Sequence, residues 1–109
     1  MASVCLNTND IADWDSFHRI SKETFGFPDF YGNNMDAWID CLTYLRDGDG
    51  MSRFHLEPNE MLEVEVPETR TFRKRVPEIL DALVECSAFV NFRNHHPVIA
   101  LVFTDSSWS

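Results

Sequence analysis

The stretch Pro28–Thr43, PDFYGNNMDAWIDCLT, decides the fold of this 109-residue sequence. It begins with an aromatic pair, Phe30-Tyr31, and continues with the turn formers Gly32–Asn34. A helical pattern follows, for which Asn33 or Asn34 can act as the N-cap and which extends to about Leu45. One side of that helix collects apolar side chains, namely Ala37, Trp38, Cys41 and Leu45. The stretch therefore predicts a loop that leads into an amphipathic helix packed on a core.

The other side of the same helix is acidic. Asp36 and Asp40 are four residues apart, so they lie one turn from each other on a face that points away from Cys41. Like charges at this spacing cost a few tenths of a kcal/mol, which folding alone does not favour. Apolar side chains flank the pair: Tyr31, Met35 and Ile39. Such a surface suits the binding of a cationic partner, and a solvated helix face is the simpler alternative.

Two elements are predicted on the N-terminal side of this stretch. Ser3–Leu6 is a strand candidate, and the turn residues Asn7–Asp10 end it. A first helix then begins at an N-cap supplied by Asp13 or Asp15 and ends at Gly26. Its periodic positions are Trp14, Phe17, Ile20, Ser21 and Thr24.

The C-terminal half adds a loop, two strands and a long helix. Arg46–Ser52 is a loop by its glycines and aspartates, and Met61–Val66 alternates strictly between apolar and acidic residues, as a strand does. Helical spacing from Thr71 to about Phe92 predicts a long helix, whose regular part starts at Pro77. Pro97–Thr104 is a continuous apolar run, typical of a central strand covered on both faces.

These elements follow one another as strand, helix, helix, strand, helix, strand. Strands that alternate with helices favour an α/β fold in which a small parallel sheet is packed with helices. The length suits a single domain over residues 1–109, and 44% hydrophobic residues are enough for a core.

The charge restricts the partners. A formal net charge of -9 disfavours nucleic acid and anionic membranes, because both repel an acidic protein. It favours cationic partners, including basic active sites of proteins that themselves bind nucleic acid, although acidity also serves solubility. Neither a secretory signal nor a membrane-spanning apolar run is recognisable, so we expect a cytoplasmic protein. Cys5, Cys41 and Cys86 lack any CxxC spacing and are predicted to be reduced core thiols.

Other chemistries have little support. The four histidines and three cysteines form no metal-ligand spacing, and no glycine-rich phosphate motif occurs, so we expect neither metal nor cofactor. Cys41 is predicted on the apolar side of its helix, where thiols are inert. The basic cluster Arg70, Arg73, Lys74 and Arg75 is interpreted as a solvated face. A small hydrolase that uses Asp36 and Asp40 as an acid and base remains an alternative.

Pro28–Thr43 resembles the signature of the barstar family. The aromatic pair, Tyr31-Gly32, Asn34, Asp36, Ala37 and Asp40-Cys41-Leu42 all fall in register with it. The resemblance implies a three-stranded parallel sheet packed by helices, and a ribonuclease inhibitor whose helix and preceding loop enter the active site of the enzyme. This sequence departs from the family at Phe30, which lacks the hydroxyl of the usual tyrosine, and at Ile39, which replaces a bulky aromatic residue.

The resemblance also implies which residues touch the partner. Asp40 matches the aspartate that occupies a phosphate position, Asp36 matches a second contact carboxylate, and Glu85 corresponds to a late-helix glutamate. The full set of expected partner-binding residues is Phe30, Tyr31, Gly32, Asn34, Met35, Asp36, Ile39, Asp40, Thr43 and Glu85. The expected function is inhibition of a cationic ribonuclease toxin, one-to-one and without catalysis. The alternatives are an immunity protein against another kind of toxin and the small acidic hydrolase.

Overall fold

A computed structural model describes residues 2–46 and 51–106. Within these ranges the strands are β1 (Ala2–Cys5), β2 (Leu62–Val66) and β3 (Ile99–Phe103). The α-helices are α1 (Trp14–Phe25), α2 (Met35–Thr43), α3 (Thr69–Arg75) and α4 (Pro77–Arg93), and a 3-10 turn covers Thr8–Asp10. The predicted α/β class and the order of strands are confirmed, while the predicted loop Arg46–Ser52 lies partly outside the described residues.

The sheet is parallel, in the order β1-β2-β3. Val64 in the middle strand pairs with Val4 on one side and Leu101 on the other. Its neighbours Leu62 and Val66 are fully buried with it, whereas Glu63 and Glu65 point to the opposite face. The alternation seen in the sequence is therefore the alternation of a central strand with one face in the core.

The prediction that Pro97–Thr104 is the central strand is wrong. β3 lies at the edge of the described sheet, because β2 occupies the middle, and its carboxyl end at Val102 and Phe103 is exposed. The beginning of β3 is fixed instead by Asn91 of α4, whose side-chain oxygen accepts hydrogen bonds from the amides of Val98 and Ile99. An apolar run marks a strand, but it does not tell a central strand from an edge strand.

The single long helix predicted from Thr71 to Phe92 is two helices. Val76, between α3 and α4, has φ -140° and ψ 66°, which is outside the helical region. The residue before a proline is driven out of that region by the proline ring, and here the proline is Pro77. As a result α3 turns away from α4, with Phe72 fully buried and Arg73 and Lys74 exposed.

The layer of helices on the core side of the sheet is joined by aromatic packing. Helix α1 begins at Asp13, whose carboxylate accepts from the Ser16 amide, and ends at Gly26 in a left-handed conformation with φ 70°. The Trp38 ring of α2 packs against Phe17 and Phe25 of α1, with centroids 6.5 and 6.1 Å apart. These contacts fix the buried side of α2 and therefore also the side that faces solvent.

The expectation of three core thiols holds only for Cys41. Burial, assisted by the neighbouring Asp40 charge, raises the pKa of Cys41 to about 11. Cys86 is half-buried, and Cys5 is exposed on the face of the sheet that carries Glu65, its register partner in β2. Although Cys5 has apolar neighbours in the sequence, its side chain lies outside the core, because every second side chain along a strand points outward.

Candidate functional site

Two asparagines fix the conformation of the loop that precedes α2. Asn34 is the N-cap: its side-chain oxygen accepts from the Ala37 amide at 2.8 Å, and its side-chain nitrogen donates to the Gly32 carbonyl at 3.3 Å. Asn33 has φ 55°, a left-handed conformation that asparagine adopts more readily than most residues. The two asparagines together fix the angle at which the loop enters the helix.

The acidic side of α2 faces solvent, as its spacing predicts. Trp38, Cys41 and Leu42 are buried, whereas Asp36 and Asp40 are exposed. Because the aromatic contacts hold the buried side against α1, the two carboxylates are presented outward by a helix that does not rotate freely.

Helix α4 packs beside α2 and adds a third carboxylate. Burial raises the pKa of the Cys86 thiol, and the negative charges of Glu85 and Asp36 raise it further. Both carboxylates are thus close enough to the same thiol to act on its ionisation. We call Asp36, Asp40 and Glu85 the acidic surface; it joins two helices that are far apart in sequence.

One cation lies on this surface. The Arg93 guanidinium donates to the Asp40 carboxylate at 2.9 Å, and both side chains are partly exposed, at 33% and 56% respectively. A guanidinium held against a carboxylate is the arrangement expected when a partner arginine binds there. Sequence reasoning missed Arg93, since it stands 53 positions from Asp40 and no short-range pattern joins them.

The aromatic pair of the loop is divided between surface and core. The Phe30 side chain is 76% exposed, whereas Tyr31 is only 6% exposed. The Tyr31 hydroxyl is hydrogen-bonded to His18 Nδ1 of α1 at 2.7 Å, and its ring packs on Phe27 with centroids 4.7 Å apart. Tyr31 is one of the residues expected to touch the partner; it is buried in the free protein and anchors the loop from which Phe30 projects.

The remaining expected contact residues surround the acidic surface to different degrees. Gly32 and Asn34 are exposed, and Met35 and Ile39 are half-buried against the core. Thr43 is also half-buried, and its hydroxyl donates to the Ile39 carbonyl one turn earlier. Met35, Ile39 and Thr43 therefore offer partial surfaces, whereas Gly32, Asn34, Phe30 and the three carboxylates are exposed.

Two exposed aromatic residues on α4 were not predicted. Phe89 and Phe92 have ring centroids 6.2 Å apart, and the Phe92 side chain is 73% exposed. Phe89 follows Glu85 by four residues, so it stands one turn along the same face of the helix. The spacing from Glu85 to Phe89 was the signal that could have found them, and it places apolar area next to the acidic surface.

The described residues show no arrangement for metal chemistry. Over 2–46 and 51–106, no three side chains of the histidine, cysteine, aspartate and glutamate types come together to hold an ion. No helix within the same ranges has the length and apolar character to cross a membrane.

The anchor of the loop gives a pH prediction. Burial lowers the pKa of His18 below its ordinary value of 6.5, so the unfolded chain binds a proton there at pH values where the folded chain does not. The free energy of unfolding should therefore fall as the pH drops below about 6.5, and level off below the folded-state pKa. His18→Gln should make this fall shallower in urea unfolding curves. An equal slope for His18→Gln and the parent protein would contradict the assignment.

A match to a known protein family covers nearly the whole chain. Residues 1–103 match a family model described as "Barstar (barnase inhibitor)". A protein of Bacillus subtilis (strain 168) described as "Putative ribonuclease inhibitor YrdF" is 37% identical over 43 residues. That alignment covers 39% of this chain and 47% of the relative, so the chain matches about half the length of that protein.

Proposed function

This chain belongs to the barstar family, and from that premise we propose that it is an inhibitor that binds a ribonuclease toxin one-to-one and blocks its active site. The observation that carries the proposal is the acidic surface, which lies beside the exposed Phe30 on a loop anchored by Tyr31. A ribonuclease binds a polyanion, so its cleft is lined with cations. Three outward carboxylates on two packed helices are complementary to such a cleft.

Asp40 is the proposed centre of this interface. Its carboxylate already accepts a guanidinium hydrogen bond from Arg93, so its geometry suits an arginine of the enzyme. In the complex, cations of the enzyme would replace Arg93 at this carboxylate or share it. Asp36 and Glu85 would meet further cations at the rim, where charge contributes more to association rate than to affinity.

The apolar part of the interface comes from Phe30. The buried Tyr31 anchors the adjacent backbone, and the 76% exposed Phe30 side chain has only two rotatable bonds to order when its ring is covered. Phe89 and Phe92 extend apolar area on the α4 side. Charged groups thus provide specificity and steering, and the aromatic rings provide the desolvated contact that stabilises a complex.

The same surface argues against catalysis. Asp36 and Asp40 are exposed, and Asp40 is paired with Arg93, so neither carboxyl is enclosed in the apolar pocket that surrounds a general acid. We therefore propose a protein that is not an enzyme, that binds neither nucleic acid nor membrane through this surface, and that acts in the cytoplasm.

The experiment that tests the function is a titration of basic microbial ribonucleases with the purified protein. At least one enzyme should be inhibited stoichiometrically, with an endpoint at one inhibitor per enzyme. Failure to inhibit any ribonuclease, together with capture of a different toxin, would favour an immunity role against another target. Hydrolytic activity of the protein itself that disappears in Asp36→Ala would support the enzyme alternative.

Association should depend strongly on salt. An acidic surface that meets a cationic cleft is steered by long-range attraction, which added ions screen. The association rate constant, measured by stopped-flow fluorescence, should fall by about tenfold or more from low to physiological ionic strength. A flat dependence would mean that the aromatic contacts, not the carboxylates, drive recognition.

A further inference from the structure

We propose that a second site, a basic groove at the carboxyl edge of the sheet, binds a small organic phosphate that carries a planar ring, such as a mononucleotide. The basic groove has a volume of about 530 Å³ and is lined by Thr69, Arg70, Arg73, Lys74, Leu80 and Phe103. Its volume is within the range of small-molecule sites, about 300–1,000 Å³. None of its residues belongs to the acidic surface.

The position of the groove in the fold favours a ligand. It lies where β3 ends at Phe103 and where α3 begins at Thr69, just after the end of β2. This is the edge of the strands at which open parallel sheets hold ligands, although the order β1-β2-β3 has no switch point. The walls are tied together: the Thr69 amide donates to the Thr104 carbonyl at 3.1 Å, and the Thr69 hydroxyl donates to the Val66 carbonyl at 2.6 Å. A groove fixed in this way is formed before a ligand arrives.

The charges of the groove suit a phosphate. Arg73 and Lys74 are exposed, and among residues 2–46 and 51–106 neither has an ion-pair partner. Arg75 is used elsewhere, since its guanidinium donates to the carbonyls of Ile11 and Thr8. Two carboxylates stand near the rim: Asp105 accepts from the Arg70 amide at 3.1 Å, and Glu68 accepts from the Ser106 amide at 3.3 Å. Two neighbouring cations therefore remain for an anion, in a chain whose formal charge is -9.

The apolar wall indicates what the anion is attached to. Phe103 is partly exposed at the end of β3, and the buried Leu80 at the start of α4 lines the groove with it. An aromatic face that is open to solvent beside two cations fits a planar ring joined to a phosphate, because the ring stacks while the phosphate pairs. Inorganic phosphate would leave this wall unused.

A long nucleic acid fits less well than a small anion. The overall negative charge repels a polyanion along most of its length, whereas a single phosphate experiences mainly the local cations. The groove and the inhibitory surface lie on different sides of α4. Leu80 of the groove and Glu85 of the acidic surface are five positions apart, which is about 7.5 Å along the helix axis and about 140° around it, and Leu80 is buried whereas Glu85 is exposed. Loss of binding at one surface can therefore be measured separately from loss at the other.

The test is a titration of ¹⁵N-labelled protein with adenosine monophosphate, with inorganic phosphate and adenosine as separate probes. Adenosine monophosphate should shift the amide signals of α3 and of the end of β3, and it should bind more tightly than either fragment. Arg73→Glu and Lys74→Glu should each weaken its affinity by about tenfold or more, since each replaces a charge-assisted contact with repulsion. Arg19→Glu, an equal charge change on an exposed position of α1, should alter the affinity by less than about twofold.

A further variant separates ring from phosphate. Phe103→Leu should weaken adenosine monophosphate binding and leave inorganic phosphate binding unchanged. No shifts with adenosine monophosphate, equal weakening by Arg19→Glu, or tighter binding of an acidic peptide would each overturn the proposal. Ribonuclease inhibition should be unaffected by Arg73→Glu, so failure here does not bear on the inhibitory function.

Discussion

Asp40→Ala should cost at least about 2 kcal/mol of binding free energy to the target ribonuclease and change the free energy of unfolding by only about 0.5 kcal/mol. The small folding effect follows from two opposing terms. The exposed ion pair with Arg93 is lost, which is worth about 0–1 kcal/mol, and the repulsion from Asp36 is relieved, which is worth a few tenths.

The large binding effect follows from what the partner loses. A cation of the enzyme that is desolvated against Asp40 would be left buried and unpaired, and Arg93 would stand beside it as a second uncompensated cation. The loss should appear mainly as faster dissociation, because truncation of a close charge pair acts on the bound state. Surface plasmon resonance and thermal melts on the same preparation measure the two quantities.

Asp15→Ala is the matched control. It removes one negative charge from an exposed position in the first turn of α1, so the net charge changes by the same amount. It should lower the association rate slightly and leave dissociation unchanged. If the two variants weaken binding equally, the effect is one of overall charge and Asp40 is not a contact.

Much of the acidic surface could be predicted from the sequence, because it depends on local geometry. The four-residue spacing of Asp36 and Asp40 sets them on one face, and the buried Trp38 and Cys41 set that face outward. Residue type restricted the cap to Asn33 or Asn34, and the structure places it at Asn34. The role of each contact residue and the single domain over residues 1–109 stay predictions.

What the sequence did not supply depends on tertiary packing. The pair Asp40–Arg93 exists because α4 lies beside α2, and nothing local to either helix encodes that approach. Likewise Phe30 and Tyr31 are adjacent aromatic residues, and the tertiary contacts with His18 and Phe27 decide that Tyr31 is the buried one. The position of β3 at the edge of the sheet could not be predicted for the same reason, since strand order is a property of the whole chain.

Cys41→Asp should destabilise the fold by about 3 kcal/mol or more, although it lies next to Asp40. Cys41 is 3% exposed on the side of α2 that packs into the core. Burial and the charge of Asp40 already hold the pKa of its thiol near 11, so this position disfavours a negative charge. A carboxylate introduced there has to be buried without a partner or become protonated.

The pH dependence distinguishes a buried charge from lost packing. The introduced carboxyl should have its pKa raised in the folded state, so the part of the destabilisation that comes from its charge is fully present above that raised value and vanishes below the unfolded value of about 4. Cys41→Ser, a neutral polar variant of similar size, should cost less and should show no such recovery in acid. Urea unfolding across the acid range measures both. Should Cys41→Asp fold like the parent protein while Asp40→Ala unfolds, helix α2 would present its other side to the ribonuclease, and the acidic surface would not be the inhibitory one.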